Sequence, residues 1–286
     1  MIDVVIIGKG PAGITAAIYA KRAGLKVVVI GKDGGALEKT EEIDNYYGFE
    51  QTISGKDLIQ KGIEQAKRLG IEVITDEVVG IEYIGIFKIT AKQNTYETKA
   101  LVIATGANRV LPNIKGLKEY EGKGISYCAL CDGFFYKGKD VAVLGNKDYA
   151  LHEASELLRV VNSVTILTNG REIPEYRSDK LIINQKEIKE IAGEEVVNKV
   201  EFADGTSVGL SGIFVAEGTA SSVDFARKLG AEVIQNKLVV NENMETNIPG
   251  LYAAGDCTGG LMQISKSVYE GTKAGTEVAK HIKGKA

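Results

Sequence analysis

Ile2-Asp3-Val4-Val5-Ile6-Ile7-Gly8-Lys9-Gly10-Pro11-Ala12-Gly13 opens the chain, and its reading decides the fold. The first six residues form an apolar, β-branched run suited to a buried strand. Gly-x-Gly-x-x-Gly follows at once, and a helical pattern continues to Ala23 with Gly24 as its stop. Lys26 to Ile30 then reads as a second strand. Strand, glycine turn, helix and strand in this order are the opening of a dinucleotide-binding fold. Gly8 makes the turn, Gly10 lets a pyrophosphate approach the backbone, and Gly13 lets the helix pack on the strand. Pro11 suits the first helical position, and Ala12 lies in the first turn, whose amides face an anion. The acid usual at the tip of the second strand is missing. Gly31-Lys32 stands there, so the ribose contact is expected elsewhere, in the loop from Lys32 to Leu37.

Further on, Ser54 reads as the N-cap of a helix from Gly55 to Leu69. Short strands follow, the last from Ala100 to Ile103, ending in Ala104-Thr105-Gly106-Ala107. Pro112 to Gly124 reads as a hinge, with a return near Val233 to Lys237. Between them the opening pattern recurs: strand Asp140 to Leu144, helix Asp148 to Val160, strand Ser163 to Leu167. A repeat of this kind points to duplicated dinucleotide units. The expected class is therefore α/β, with two dinucleotide-type units.

The second glycine turn is damaged. In Gly145-Asn146-Lys147-Asp148-Tyr149-Ala150, Lys147 replaces the glycine that admits a pyrophosphate, and Asp148 brings negative charge to the helix start. Beyond the second strand Thr168-Asn169-Gly170 offers no paired arginines for a 2′-phosphate, and only Arg171 and Arg177 are nearby. Lys147 could bind phosphate from a new angle. The reading preferred here is that the second crevice has stopped taking a nicotinamide nucleotide.

Cys128-Ala129-Leu130-Cys131-Asp132-Gly133-Phe134-Phe135 carries the chemistry. Thiols at Cys-x-x-Cys spacing open and close reversibly, each being the other's resolving partner. The bland alternatives are half a zinc site or two buried thiols. Zinc needs four ligands, and the remaining candidates, Cys257, His152 and His281, are not at ligand spacing, so no metal is expected. Three cysteines in 286 residues do not make a secreted disulfide scaffold and fit a cytoplasmic protein with a working thiol pair. The start at Met1-Ile2-Asp3 has no signal-peptide pattern, and no apolar run reaches membrane-helix length. A formal net charge of −3 argues against a nucleic-acid surface.

Taken together, these stretches resemble the low-molecular-weight thioredoxin reductases over essentially the whole chain. Alongside the Gly8 turn, the matching pieces are Gly34-Gly35-Ala36-Leu37, Ile43-Asp44-Asn45-Tyr46-Tyr47-Gly48, Ala104-Thr105-Gly106, Cys128 to Tyr136, and Ala254-Gly255-Asp256. Leu130 stands where the family usually has Thr, and Leu37 follows Ala36 where Gln-Leu is usual. The resemblance implies a homodimer of two Rossmann-like three-layer ββα domains, the second inserted in the first: residues 1–112 and 236–286 form the FAD domain, and residues 113–235 the domain that carries NADPH in the family. It places FAD on Gly8, Gly10, Pro11, Ala12 and Gly13, on Lys32, Gly35, Ala36 and Leu37, and on Asn45 and Val78. Further contacts fall on Ala104, Thr105, Gly106 and Gly255. Asp256 would hold the ribityl chain and Gln263 the ring edge, with Met262 where an arginine is usual. It makes Cys128 and Cys131 the redox pair, Cys131 against the ring, and Asp132 the proton donor.

The departures cluster in the second domain. That pattern is similar to the ferredoxin-dependent flavin thioredoxin reductases of anaerobes, which keep FAD and the cysteine pair without the NADPH signatures. A related orphan group shares the losses with no settled donor. The expectation is thus an FAD enzyme reducing thioredoxin, with reduced ferredoxin as donor and NADPH not used. The competing readings are an NADPH-driven thioredoxin reductase with an atypical pocket and a flavin redox sensor that does not turn over. On the last helix Lys266, Lys273, Lys280 and Lys283 fall on one face, either a docking stripe for an acidic ferredoxin or a solvated surface.

Overall fold

The structure, a computed structural model, describes residues 1–106, 112–127, 129–174, 181–218 and 221–284, with the backbone alone at 130 and 131. The chain divides into two compact units, Met1–Asn108 with Ser221–Ala286, and Arg109–Ala220.

Unit 1 begins with β1 (Ile2–Ile7), α1 (Pro11–Arg22), β2 (Val27–Ile30), α2 (Gly55–Arg68) and β3 (Glu72–Ile74). An antiparallel meander follows: β4 (Val78–Tyr83), β5 (Phe87–Ala91) and β6 (Thr95–Ile103). β6 has two roles, and its residues show why. Its first half alternates exposed and inward positions and pairs with β5 antiparallel. Its last four residues, Ala100–Ile103, are all buried and run parallel between β1 and a strand from the end of the chain. Apolar runs buried on both faces belong to central parallel strands, and alternation to a half-covered hairpin. Only the buried half was expected from the sequence, because Thr95–Lys99 carries no apolar signal.

Unit 2 starts with β7 (Ile125–Ser126), α3 (Ala129–Asp132), β8 (Asp140–Leu144), α4 (Asp148–Leu157) and β9 (Ser163–Leu167). It continues with β10 (Leu181–Asn184), β11 (Ile188–Gly193), β12 (Val197–Phe202), β13 (Ser207–Gly209) and β14 (Ile213–Val215). The parallel sheet has the order β10-β9-β8-β14-β7. The antiparallel sheet β11-β12-β13 lies on one face, where Val200 and Phe202 pack with Leu144, Ile213 and Val215. α4 covers strands β8 and β9, so the layers are β, β and α.

The chain returns to unit 1 with α5 (Ser222–Lys228), the hairpin β15 (Val233–Ile234) and β16 (Lys237–Leu238), β17 (Leu251–Ala253) and α6 (Ile264–Gly284). α1 and α6 meet on the sheet face lined by Val4, Ile6, Val102 and Tyr252. Their approach depends on Gly271 and Gly275, since a Cβ at either would overlap the carbonyl oxygen of Ala12 or Ala16. The two-domain α/β architecture expected from the sequence is present.

Three expectations require correction. The stretch taken for a hinge is built into unit 2: Ile114, Leu117 and Tyr120 are buried in its core, and the Tyr120 hydroxyl donates to Gly193 O at 2.7 Å. Its glycines and charges masked three apolar anchors. The return near Val233 to Lys237 is likewise no linker but a two-residue hairpin, with Gln235 and Asn236 at φ 49° and 57°. The later segment of unit 1 begins at Ser221, upstream of residue 236, because α5 packs on that hairpin and on β4.

Candidate functional site

At the carboxyl edge of the unit 1 sheet, β1 ends in Gly8 at φ 115°, a region open to glycine. A Cβ on Gly8 would overlap Ala104 O, and one on Gly13 would overlap Gly8 O. These two glycines therefore weld β1, α1 and β6 together. Gly10 differs: a Cβ there would meet nothing, so the turn leaves open space over the start of α1. That helix has Pro11 at its N-terminus and no side-chain cap, so its first amides are left for an anion.

Of the other expected residues, Ala104, Thr105, Gly106, Gly255 and Asp256 follow β6 and β17 at this edge. Thr105, after β6, has a buried hydroxyl with no partner among the described residues, and Gly106 follows at φ 76°. Gly255 follows β17 at φ 90°, and a Cβ there would stand 2.9 Å from the Ala12 side chain. Asp256 begins a 3-10 turn and accepts from Ser267 at 3.5 Å. Asn45 donates to the Gln263 side chain at 3.2 Å, which brings together two residues 218 positions apart. Met262 is exposed. The 3-10 turn Gly35–Lys39 holds Gly35, Ala36 and Leu37, with the Gly35 amide on Asp33 at 2.9 Å.

Lys32 is paired with Glu77 at 2.9 Å, and Glu77 is the residue that sequence reasoning missed. It stands just before Val78, itself buried at the start of β4, far in sequence from the tip of β2. Gly31 N–H donates to Ile74 O, which draws this connection against the β2 tip. Glu77 is 6% exposed, and its second carboxylate oxygen is buried without a partner among the described residues. The acid missing from the end of β2 is thus supplied from the next connection. No local sequence signal links Glu77 to the β2 tip, since 45 positions separate it from Lys32.

The residues present fit a flavin dinucleotide. A glycine turn with unfilled space, an uncapped helix start, an orphaned Thr105 hydroxyl and an orphaned Glu77 oxygen are groups that a phosphate and sugar chain satisfies.

In unit 2, Cys128 and the side chain of Cys131 lie outside the described residues. Around them, the Ser126 hydroxyl donates to the Asp132 carboxylate at 2.6 Å. The Ala129 amide, first in α3, donates to Glu153 at 3.1 Å, and Glu153 is 2% exposed. Phe134 and Phe135 are both exposed. Burial and the neighbouring Asp132 hold the Tyr136 hydroxyl above its ordinary pKa. Cys257 is the small buried thiol expected; burial pushes it up to about 12.

The carboxyl edge of the unit 2 sheet is arranged differently. Lys147 is the N-cap of α4 without capping through its side chain, and Asp148 is in the first turn. The Asn146 side chain donates to Glu172 O at 2.9 Å. Arg171 makes a two-pronged ion pair with Glu217, one prong at 2.7 Å, and this hydrogen-bonded carboxylate raises the guanidinium pKa. Arg177 lies outside the described residues.

On α6, the lysine stripe loses its first member. Lys266 donates to Gly255 O at 2.8 Å and Thr258 at 2.9 Å and pairs with Glu270 at 2.9 Å, its side chain 16% exposed. Glu270 also accepts the Gly255 amide at 2.8 Å. Heptad spacing placed Lys266 with Lys280, but the turn after β17 offers acceptors that draw it inward. Lys280 pairs with Glu277 at 2.8 Å.

Among the described residues no helix is long and apolar enough to cross a membrane, and no group of three or more His, Cys, Asp or Glu is placed for a metal ion.

Two nucleotide-type sheets, one with a flavin cradle and one bearing a Cys-x-x-Cys stretch, define the class of flavin disulphide oxidoreductases. Comparison with known proteins agrees. The family model described as pyridine nucleotide-disulphide oxidoreductase matches residues 2–271, and the chain belongs to that family, in its low-molecular-weight thioredoxin reductase branch. Thioredoxin reductase from Listeria monocytogenes is 34% identical, over 98% of this chain and 93% of that protein. The crystal structure of the atypical thioredoxin reductase TRi from Desulfovibrio vulgaris Hildenborough is 38% identical with a TM-score of 0.94, covering 100% of this chain and 99% of that one. A ferredoxin-flavin thioredoxin reductase from Clostridium acetobutylicum, at 34% identity, has a TM-score of 0.73 over 99% and 98% of the two chains. Members of this branch are FAD-dependent.

Proposed function

We propose that this chain is a thioredoxin-disulphide reductase that carries FAD in unit 1 and takes its electrons from reduced ferredoxin. The observation that carries the reading is the contrast between the two glycine turns. In unit 1, Gly10 leaves space over an uncapped helix start. In unit 2, Lys147 and Asp148 stand at the equivalent positions. One dinucleotide site is kept and the other is not.

FAD would be held by Gly8, Gly10, Pro11, Ala12 and Gly13, and by the Lys32–Leu37 loop. Asn45, Glu77, Val78, Ala104, Thr105, Gly106, Gly255, Asp256, Met262 and Gln263 would complete the site. Bound, it supplies an acceptor that fills one electron at a time and discharges two. The Cys128–Cys131 disulfide takes up two electrons and two protons and opens to a dithiol. Asp132, oriented by Ser126, supplies a proton to the departing thiolate. One cysteine thiolate then attacks the thioredoxin disulfide. The mixed disulfide resolves through the second cysteine, which leaves thioredoxin reduced and Cys128–Cys131 closed. A ferredoxin at about −400 mV against a thioredoxin at about −270 mV gives about 6 kcal/mol per disulfide for two electrons. The working form is a homodimer.

An anaerobic titration of the visible flavin band tests this. NADPH leaves the band unchanged, reduced ferredoxin bleaches it, and oxidised thioredoxin restores it. Rapid bleaching by NADPH would replace the donor, and a ferredoxin-reduced enzyme that thioredoxin fails to reoxidise would remove the activity.

A further inference from the structure

Three strands of unit 2 converge on its second glycine turn. β8 lies between β9 and β14 and is paired with both. Gly145 follows β8, Arg171 stands four residues beyond the end of β9, and Glu217 two residues beyond the end of β14. A pair joining residues from the two outer strands spans two strand spacings, about 10 Å, and passes above the end of the middle one. Arg171 and Glu217 are such a pair, joined through two parallel hydrogen bonds. A second tie runs beside it, from Asn146 in the turn to Glu172 O. The Arg171 Nε–H is also spent, donating to Thr168 O at 3.0 Å.

In a doubly wound sheet a dinucleotide lays its diphosphate over this turn, at the start of the following helix. Here a carboxylate stands at that level with 5% of its surface exposed. A diphosphate would bring its charges beside Glu217 and would have to part a bidentate ion pair to reach Arg171. Yet polar groups of a nucleotide site remain below. The hydroxyl of Thr168, a fully buried residue at the tip of β9, and the side-chain oxygen of Asn146 have no hydrogen-bond partner among the described residues.

We infer that the Arg171–Glu217 pair is the specificity determinant that closes the second crevice to nicotinamide dinucleotides, with Glu217 standing in for the diphosphate. This rests on the reading that such nucleotides do not reduce the enzyme, and it names the residues responsible. The pair acts by exclusion. Removing the carboxylate alone frees a guanidinium over the turn and turns the strap into an anion site. Removing the arginine alone leaves the buried carboxylate to repel phosphate.

The test uses FAD-loaded protein and two probes, ADP and NADPH, with dissociation constants from calorimetry. Glu217→Ala is expected to bind both at least about tenfold more tightly than the unaltered protein, a gain that fades as salt is raised. Arg171→Ala is expected to show no gain. If Glu217→Ala fails to accumulate with bound flavin, Glu217→Gln, of equal size and neutral, is held to the same criterion. Folded, flavin-loaded Glu217 variants that bind ADP and NADPH no better than the unaltered protein overturn the inference. So does an equal gain in Arg171→Ala. The two readings fail separately. Unaltered enzyme bleached by micromolar NADPH sinks the donor assignment, whereas an unbleached enzyme with no gain in the variants sinks only the role of the pair.

Discussion

The hydroxyl of Ser126, at the end of β7, donates to the carboxylate of Asp132, the last residue of α3, across 2.6 Å. The bond spans the cysteine stretch and fixes the carboxylate that follows the second thiol. Asp132→Asn removes the proton donor and is expected to lower thioredoxin turnover by about 100-fold. Ser126→Ala keeps the acid but frees its rotamer, and the expected loss is about fivefold in kcat with KM unchanged. Steady-state kinetics with thioredoxin as the varied substrate separate the two. Equal losses would show that Ser126 does more than orient.

Glu77 is proposed as a cofactor contact because one of its carboxylate oxygens is buried with no partner among the described residues. Glu77→Gln keeps the size and removes the charge that faces Lys32. The expected result is FAD bound about tenfold more weakly, with little change in melting temperature of the flavin-free protein. Flavin retained after desalting, and fluorescence titration of the stripped protein, measure it.

Gly275 lets α6 approach α1 at Ala16. Gly275→Val overpacks that contact, with an expected cost of about 3 kcal/mol in denaturant unfolding. Since α1 carries the phosphate-facing amides, flavin retention should fall in the same variant.

Lys266 is tied to Glu270, Thr258 and the turn at Gly255. Lys266→Met leaves Glu270 without its cation and is expected to cost about 2 kcal/mol, below the full cost for a deeply buried pair because both side chains keep some water contact. The salt dependence of ferredoxin-driven reduction should not change. A selective loss of that salt dependence would return Lys266 to the docking face.

Cys257 adds a pH dependence of known sign. Burial raises its folded pKa from 9.0 to about 12. Below 9.0 both folded and unfolded chains keep the proton and nothing is lost; between 9.0 and about 12 the unfolded chain sheds it first, so stability falls as pH rises. Cys257→Ala should lose less stability than the unaltered protein over that window. In the folded protein Cys257 should also resist alkylation near neutral pH and react once guanidinium unfolds the chain, as read by mass spectrometry.

Much of this molecule is written locally. The β1 run, the Gly8 turn and the α1 pattern fall within two residues of their structural bounds, because strand and helix signals there are short-range and agree with one another. Legibility stopped where partners were distant. The stretch 112–124 reads as a hinge because Ile114, Leu117 and Tyr120 are isolated among charges, and only packing against both sheets of unit 2 makes them core. Lys266 looked solvent-facing because periodicity describes a helix and not the turn beside it. The first half of β6 was invisible because its pairing with β5 rests on backbone bonds and not on apolar side chains.

By itself the sequence determined the two nucleotide-type units, the glycine cradle and the Cys-x-x-Cys-Asp stretch, since each is set by residue types at fixed short spacing. The tertiary structure alone decided that Glu77 reaches the β2 tip, that Asn45 meets Gln263 and that Arg171 joins Glu217. Those pairs are separated by 45, 218 and 46 positions, and no local rule links them. They come together because parallel strands deliver their carboxyl ends to one edge of a sheet, and side chains on the connections gathered there must satisfy one another or a ligand.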